Sequence, residues 1–200
     1  WGIAGIDDTH KEAIKTPSDW KTDIDRVTNS WDTYAGTIGL RHQITAGEKS
    51  FVESHAAFSS TDDRITTDYL SDDASVFTPD SRLKKQNGTL TLATSLTHKF
   101  SRSATFKAGI KYKQLFYKYD HSAAQDYIPS TYAHIVNSSG STNFTEAYSQ
   151  IKYQLSPSLL ANVGLHIHHF GLNKEVSLEN RAGLAWKISD KHSLSFGYGK

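Results

Sequence analysis

Two histidines, His166 and His168, stand two residues apart in a stretch that reads as an extended strand. Side chains at this spacing on a strand share one face, so both imidazoles can reach the same ligand, and imidazole binds zinc, copper and iron. The sequence locates no third ligand near them. We therefore assign the pair to a polar wall or an interface, and we predict neither a metal site nor a cofactor.

Cationic side chains share the face of these histidines when each strand is read with a two-residue period. The candidates are Lys107, Lys111, Lys113, Lys152 and Arg181. Glu53 and Glu179 are the carboxylates that the same alternation places among them. If these strands close into a barrel with this face inside, unpaired cations would be costly in a narrow interior, so the residues favour a barrel with a wide lumen. A cationic barrel wall attracts anionic ligands. We expect these residues and the two histidines to contact a solute.

Aromatic residues in the polar segments form a third group of candidates: Trp20, Trp31, Tyr127 and Tyr132. Such rings stack on sugars or chelates, and they also pack loops together. The sequence leaves both roles open.

The elements that would position these residues are β-strands. Residues 159–168 alternate apolar and polar side chains, and Ser156, Pro157 and Ser158 close a hairpin to a similar strand before them. About eight strands follow this pattern, each near the 9 to 11 residues that a tilted strand needs to cross a bilayer. They lie near residues 34–44, 52–58, 90–100, 106–112, 147–155, 159–168, 178–188 and 194–198.

The connections differ in length. Short turns are expected at 45–50, 101–104, 156–158 and 189–191, and long polar loops at 7–30, 68–88 and 120–143. Residues 1–6 read as the end of a further strand. Short periplasmic turns and long extracellular loops are typical of outer-membrane barrels, so we predict that residues 1–200 are part of one antiparallel transmembrane β-barrel domain.

Composition excludes several other classes. The 200 residues hold 22 Lys and Arg against 21 Asp and Glu, which gives no cationic excess for a nucleic-acid partner. The absence of cysteine rules out disulfides, cysteine-based zinc sites and thiol catalysis. No catalytic or phosphate-binding motif is present, so we do not expect an enzyme.

The strand that carries Glu179, Arg181, Gly183 and Leu184, followed by a tight turn and the run His-Ser-Leu-Ser at 192–195, resembles strands of TonB-dependent outer-membrane receptors, most closely those of Bacteroidetes-type bacteria. The opening Trp-Gly-Ile-Ala-Gly and the acidic segment after it are similar to a mid-barrel part of those receptors.

This resemblance implies a barrel of about 22 strands in outer-membrane lipid, closed around a plug domain that this chain does not contain. Because the chain begins at Trp1 and lacks Met, we interpret it as an internal section of such a wall. The resemblance also implies import of a scarce solute (a ferric chelate, haem, an oligosaccharide or a peptide), energised by a periplasmic TonB-type transducer. Some family members add a surface lipoprotein.

Two alternatives stay open at the level of sequence. One is a complete small eight-stranded barrel of the outer membrane with a structural or adhesive role. The other is a soluble β-sandwich that serves as a binding module.

Overall fold

Nine antiparallel strands make up nearly all regular structure in the computed structural model, which describes residues 1–124 and 132–200. They pair in sequence order, each with its neighbours along the chain, in one sheet. Their bounds are β1 Gly2–Lys11, β2 Val27–Ala46, β3 Ser50–Leu70, β4 Phe77–Lys99, β5 Ala104–Ala124, β6 Tyr132–Ser156, β7 Leu159–Phe170, β8 Glu175–Lys187 and β9 Ser193–Gly199.

All eight predicted strands are found, and the predicted strand end at residues 1–6 lies in β1. Two short 3₁₀ helices, Pro17–Asp19 and Asp23–Arg26, lie between β1 and β2. No helix among the described residues has the length and apolar character needed to cross a membrane.

The predicted bounds of the long loops are wrong. In place of a loop at 68–88, β3 continues to Leu70 and β4 starts at Phe77. β1 likewise continues to Lys11, β2 starts at Val27, and much of 120–143 belongs to β5 and β6. Backbone pairing needs no apolar face, so strands that leave the alternating pattern remain paired and add polar cross-strand bonds, such as Gln86 Nε2–H to Asp62 Oδ2 at 2.8 Å.

The chain divides into two compact units. The first contains Trp1–Ile38, Phe58–Thr89 and Phe116–Ser141, and the second contains Gly39–Ala57, Leu90–Leu115 and Thr142–Lys200. In the first, β1 pairs with β2 from Gly2 opposite Ile38 to Lys11 opposite Asn29. In the second, β6, β7, β8 and β9 pair in antiparallel register, with one register shift in β6 between Gln154 and Ser156.

One face of the second unit is apolar and exposed. Val163 lies opposite Ile151 on β6, and Leu184 lies opposite Phe196 on β9. Phe196 is 69% exposed and Val163 is 62% exposed. Ala13 and Leu70, both in the first unit, are the buried hydrophobic residues of the described chain. A sheet with this many uncovered apolar side chains needs an apolar surrounding.

Candidate functional site

The opposite, polar face of the second unit carries a cluster that the strand register assembles. Glu146 on β6 lies opposite His168 on β7, and Tyr148 lies opposite His166. His166 in turn lies opposite Glu179 on β8. Directly opposed residues of an antiparallel pair share a face, so two imidazoles and two carboxylates come together on three adjacent strands.

Each carboxylate of this cluster holds one predicted cation. Lys111 Nζ donates to Glu146 Oε2 at 2.5 Å, and Arg181 Nη2 donates to Glu179 Oε2 at 2.6 Å. Arg181 is 61% exposed, so its ion pair is screened by solvent. The charges of Lys111 and Arg181 are matched by the two carboxylates, and Lys113, which lies over the ring of Phe144, leaves this part of the wall with one positive charge in excess when the imidazoles are neutral.

His168 lies between the two carboxylates. Its Nδ1 is 3.7 Å from Glu146 Oε1, and its Nε2 is 3.5 Å from Glu179 Oε1. The ring centroids of His166 and His168 are 4.0 Å apart. His166 Nδ1 is buried and, within the described part of the chain, makes no hydrogen bond.

Aromatic rings border the histidines on β6. Phe144 stacks on His168 with centroids 5.6 Å apart, and Lys113 Nζ lies 5.9 Å from the centroid of Phe144. Tyr148 meets His166 edge-on at 6.1 Å. These rings restrict the rotamers that both imidazoles can adopt.

A groove of about 400 Å³ opens beside the cluster. Polar and charged side chains contribute much of its lining. The lining residues that matter here are Lys111, Glu146, Tyr148, His166 and Arg181. Its size suits a small ligand or a segment of a larger one.

The structure thus brings together four predicted site residues (Lys111, His166, His168 and Arg181) and places Lys113 beside them. Lys107 on β5 and Lys152 on β6 lie apart from the cluster, and neither forms an ion pair within residues 1–124 and 132–200. Lys152 lies opposite Asn162.

The described members of the predicted aromatic group, Trp20, Trp31 and Tyr132, lie on three different segments of the chain. Trp31 on β2 lies opposite Thr9 and is 53% exposed, and Tyr132 begins β6 and is 42% exposed. Tyr127 lies outside the described residues. Trp20 belongs to the segment between β1 and β2, where its Nε1–H donates to the carbonyl of Ile14 at 2.6 Å.

Arg26 organises that segment. Its guanidinium carbon lies 4.9 Å from the ring centroid of Trp20 and 4.5 Å from that of Tyr69. Its Nε–H donates to the carbonyl of Leu70 at 3.0 Å, and Nη2 pairs with Asp72 Oδ1 at 2.5 Å. Trp20 therefore packs the segment, which is one of the two roles that the sequence left open.

Sequence reasoning missed Glu146, one of the two carboxylates that lie within 4 Å of the histidine pair. The predicted hairpin at Ser156, Pro157 and Ser158 contained the necessary signal. Counting outward from Pro157 by equal steps places Glu146 opposite His168, and the observed register has this pairing. Using the hairpin to assign cross-strand partners, and not only to place a turn, would have identified Glu146 as a neighbour of the two histidines.

Comparison with known proteins gives the family. Residues 4–200 match the family described as TonB dependent receptor-like, beta-barrel. The chain belongs to this family. Its members are transporters and receptors that are integral to the outer membrane. Among curated proteins, none matches the chain.

Solved structures share the fold of this TonB-dependent receptor barrel at low sequence identity. The RagAB peptide importer in its closed-closed state aligns with a TM-score of 0.65 and 14% identity, over 87% of this chain and 23% of that one. The open form of the ferric-catecholate import receptor Fiu from E. coli K12 aligns with a TM-score of 0.61 and 12% identity, over 86% of this chain and 30% of that one. The chain therefore spans less than a third of each receptor.

Family membership confirms the predicted antiparallel barrel wall and its location in the outer membrane. The exposed apolar face of the second unit is accordingly the face that suits lipid, and the face with the histidines is the polar one. The soluble β-sandwich is excluded by the family, and the receptor is favoured over the complete small barrel.

Proposed function

We propose that the chain forms part of the wall of an active transporter, which captures a scarce solute outside the cell and imports it with energy from a periplasmic TonB-type transducer. The observation that carries this proposal is the family match over residues 4–200. The proposal assigns the chain no enzymatic chemistry.

The charges of the polar face support an anionic solute in this proposal. Lys111 and Arg181 are neutralised by neighbouring carboxylates. Lys107, Lys113 and Lys152 form no ion pair in the described part of the chain and alternate onto the same face. Cations that form no ion pair along a wall favour an anionic solute, such as a ferric chelate, an acidic peptide or haem with its two propionates, over a neutral oligosaccharide.

The partners belong to the same proposal. A plug domain would fill the barrel and contact the polar face, and the transducer would act on that plug. A surface lipoprotein is a further partner in this proposal, because the sequence resembles family members of which some add one. The matched receptors are much longer than this chain. Binding of these partners is therefore to be tested with the full-length receptor.

The first experiment measures uptake by cells that express this receptor, with the transducer gene intact or deleted. A ferric catecholate and an acidic peptide are the anionic probes, and a neutral oligosaccharide is the comparison solute. We expect accumulation of an anionic probe that requires the transducer. Accumulation that is equal in both strains would contradict active transport.

The second experiment replaces Lys107, Lys113 and Lys152 together by Gln, with Lys191→Gln in the turn between β8 and β9 as the matched control. Three partly screened charges are each worth a few tenths of a kcal/mol or more, so we expect about tenfold weaker binding of the anionic probe, and a smaller loss at high salt. Unchanged affinity would mean that these lysines pair with the plug or with water.

A further inference from the structure

We propose that Glu146, His166 and His168 bind a divalent transition-metal ion, with Zn²⁺ or Cu²⁺ as the best chemical match. Each residue offers one ligand atom, and the three atoms lie within 4.8 Å of one another. Two imidazoles and one carboxylate are a donor set that these ions accept. The binding of a free ion goes beyond the proposed transport and does not rest on it.

The spacing of the ligand atoms fits an ion placed between them. Bonds from zinc to nitrogen or oxygen are about 2.0–2.2 Å, so two ligands of a tetrahedral ion lie about 3.4 Å apart. His168 Nδ1 and Glu146 Oε1 are 3.7 Å apart, which is too long for a hydrogen bond and within a few tenths of an ångström of this separation. The three ligand atoms together lie within 4.8 Å of one another, so side-chain rotation must shorten the longest separation by up to about 1.4 Å for all three to bind one ion.

The hydrogen bonds around the cluster leave the required electron pairs available. Lys111 occupies Glu146 Oε2 and leaves Oε1 directed toward His168. His166 Nδ1 is buried and has no hydrogen-bond partner in the described chain. Glu179 Oε2, at 3.8 Å from this nitrogen, is too far away for a hydrogen bond. A buried nitrogen that makes no hydrogen bond is unfavourable, and an ion would supply a bond.

Glu179 completes the arrangement as a positioning residue. An imidazole binds one ion through one nitrogen, so a metal on His168 Nδ1 leaves a proton on Nε2. Glu179 Oε1 lies 3.5 Å from that nitrogen. A carboxylate that accepts the second N–H of a ligating histidine fixes its tautomer and raises its basicity.

The opposite face of β7 supplies a matched control. His169 follows His168 directly, so it points to the other side of the sheet, and it lies opposite Thr145 and Val176. His169→Ala therefore removes one imidazole from the same strand without changing the cluster.

The test uses the receptor that contains this chain, purified in detergent and freed of metal, and titrates it with Zn²⁺ by calorimetry and with Co²⁺ by absorption. We expect one site that His169→Ala leaves intact and that His166→Ala, His168→Ala and Glu146→Gln each weaken at least tenfold. Glu179→Gln should weaken Zn²⁺ about tenfold and shift the Co²⁺ bands. Equal Zn²⁺ affinity in the His168→Ala and His169→Ala proteins would overturn the proposal.

A second measurement covers variants that fail to fold. Electron paramagnetic resonance of Cu²⁺ bound to the wild-type and His169→Ala proteins should show coupling to two imidazole nitrogens in both. Coupling to fewer than two would overturn the site. Neither measurement needs the transducer, so a failure of metal binding is distinguishable from a failure of transport.

Discussion

Replacement of Arg26 by Ala should loosen the segment between β1 and β2 and the turn between β3 and β4. The Arg26 side chain is only 13% exposed, lies against the rings of Trp20 and Tyr69, and bonds the carbonyl of Leu70. Leu70 is 1% exposed and is one of the few buried apolar residues in the described chain. Truncation to Ala removes all of these contacts at once.

The size of the effect follows from the contacts. A cation over an aromatic ring contributes about 0.5–1 kcal/mol, and here there are two rings. A hydrogen bond from a charged donor contributes about 1.5–3 kcal/mol. The ion pair adds little, because Asp72 is 93% exposed. Water replaces part of these lost contacts in the variant. We therefore expect the free energy of local opening to fall by about 3 kcal/mol, which makes the open state about a hundredfold more populated.

Hydrogen exchange of the full-length receptor, measured by mass spectrometry, checks the predicted increase in local opening. Amides of residues 12–26 and 71–76 should exchange about a hundredfold faster in Arg26→Ala, and Arg26→Lys should fall between, because Lys keeps the charge but loses the planar stacking. Lys21→Ala is the control, since it contributes only its backbone N–H to the Asp25 carboxylate. Equal exchange in Arg26→Ala and Lys21→Ala would refute the assignment of Arg26 as the organising residue.

Three further predictions test other parts of the chain. Gly109→Ala would place a Cβ 2.7 Å from the ring of Tyr148, so we expect about 1–3 kcal/mol of destabilisation and a lower Tm in detergent, whereas Gly197→Ala, whose Cβ meets nothing within 4 Å, should have little effect. Hydrogen bonds from Ser71 and Ser75 lower the pKa of Asp73 from 3.8 to about 2. The turn at 71–76 should therefore be fully ordered above pH 4 and lose its order as the pH falls through about 2. The amide resonance of Ser75 should titrate over the same range, and Asp73→Asn should abolish this titration. Trp20→Phe keeps the ring beneath Arg26 but loses the bond to the Ile14 carbonyl, so exchange in residues 12–26 should rise by about tenfold at most, and a larger rise would mean that the bond outweighs the stacking.

Hydrophobic alternation predicted the strands well where one face is apolar. Residues 159–168 show the pattern clearly, and β7 runs from Leu159 to Phe170. The short turn before β7 also indicated that β6 and β7 pair, and symmetric counting from Pro157 gives the register that holds at Glu146. The turn itself pairs Ser156 with Leu159, and a register shift between Gln154 and Ser156 restores the symmetric register, so the position of Glu146 was only partly accessible from sequence.

Alternation could not reveal strands that are polar on both faces. The stretch from Asp80 to Gly88 reads as a loop, yet it lies in β4. Its pairing depends on backbone bonds and on polar partners distant in sequence, such as Ser60 Oγ–H to the carbonyl of Asn87 at 3.1 Å. A period-two pattern reports burial and not pairing, so it ends where the apolar face ends.

The ion pairs change the meaning of the predicted cationic wall. Lys111 and Arg181 were expected to attract anions, but Lys111 is paired with Glu146 on β6 at 2.5 Å, and Arg181 is paired with Glu179, two residues before it on β8, at 2.6 Å. What remains at the cluster is the electron pairs of two imidazoles and one carboxylate oxygen, a set that selects Lewis acids over anions. Lys107 and Lys152, on β5 and β6, keep the preference for anions away from the cluster, whereas Lys113 lies beside it. Anion binding through Lys107 and Lys152 therefore depends on residues other than the proposed metal ligands, and substitution of these two lysines should leave metal binding in place.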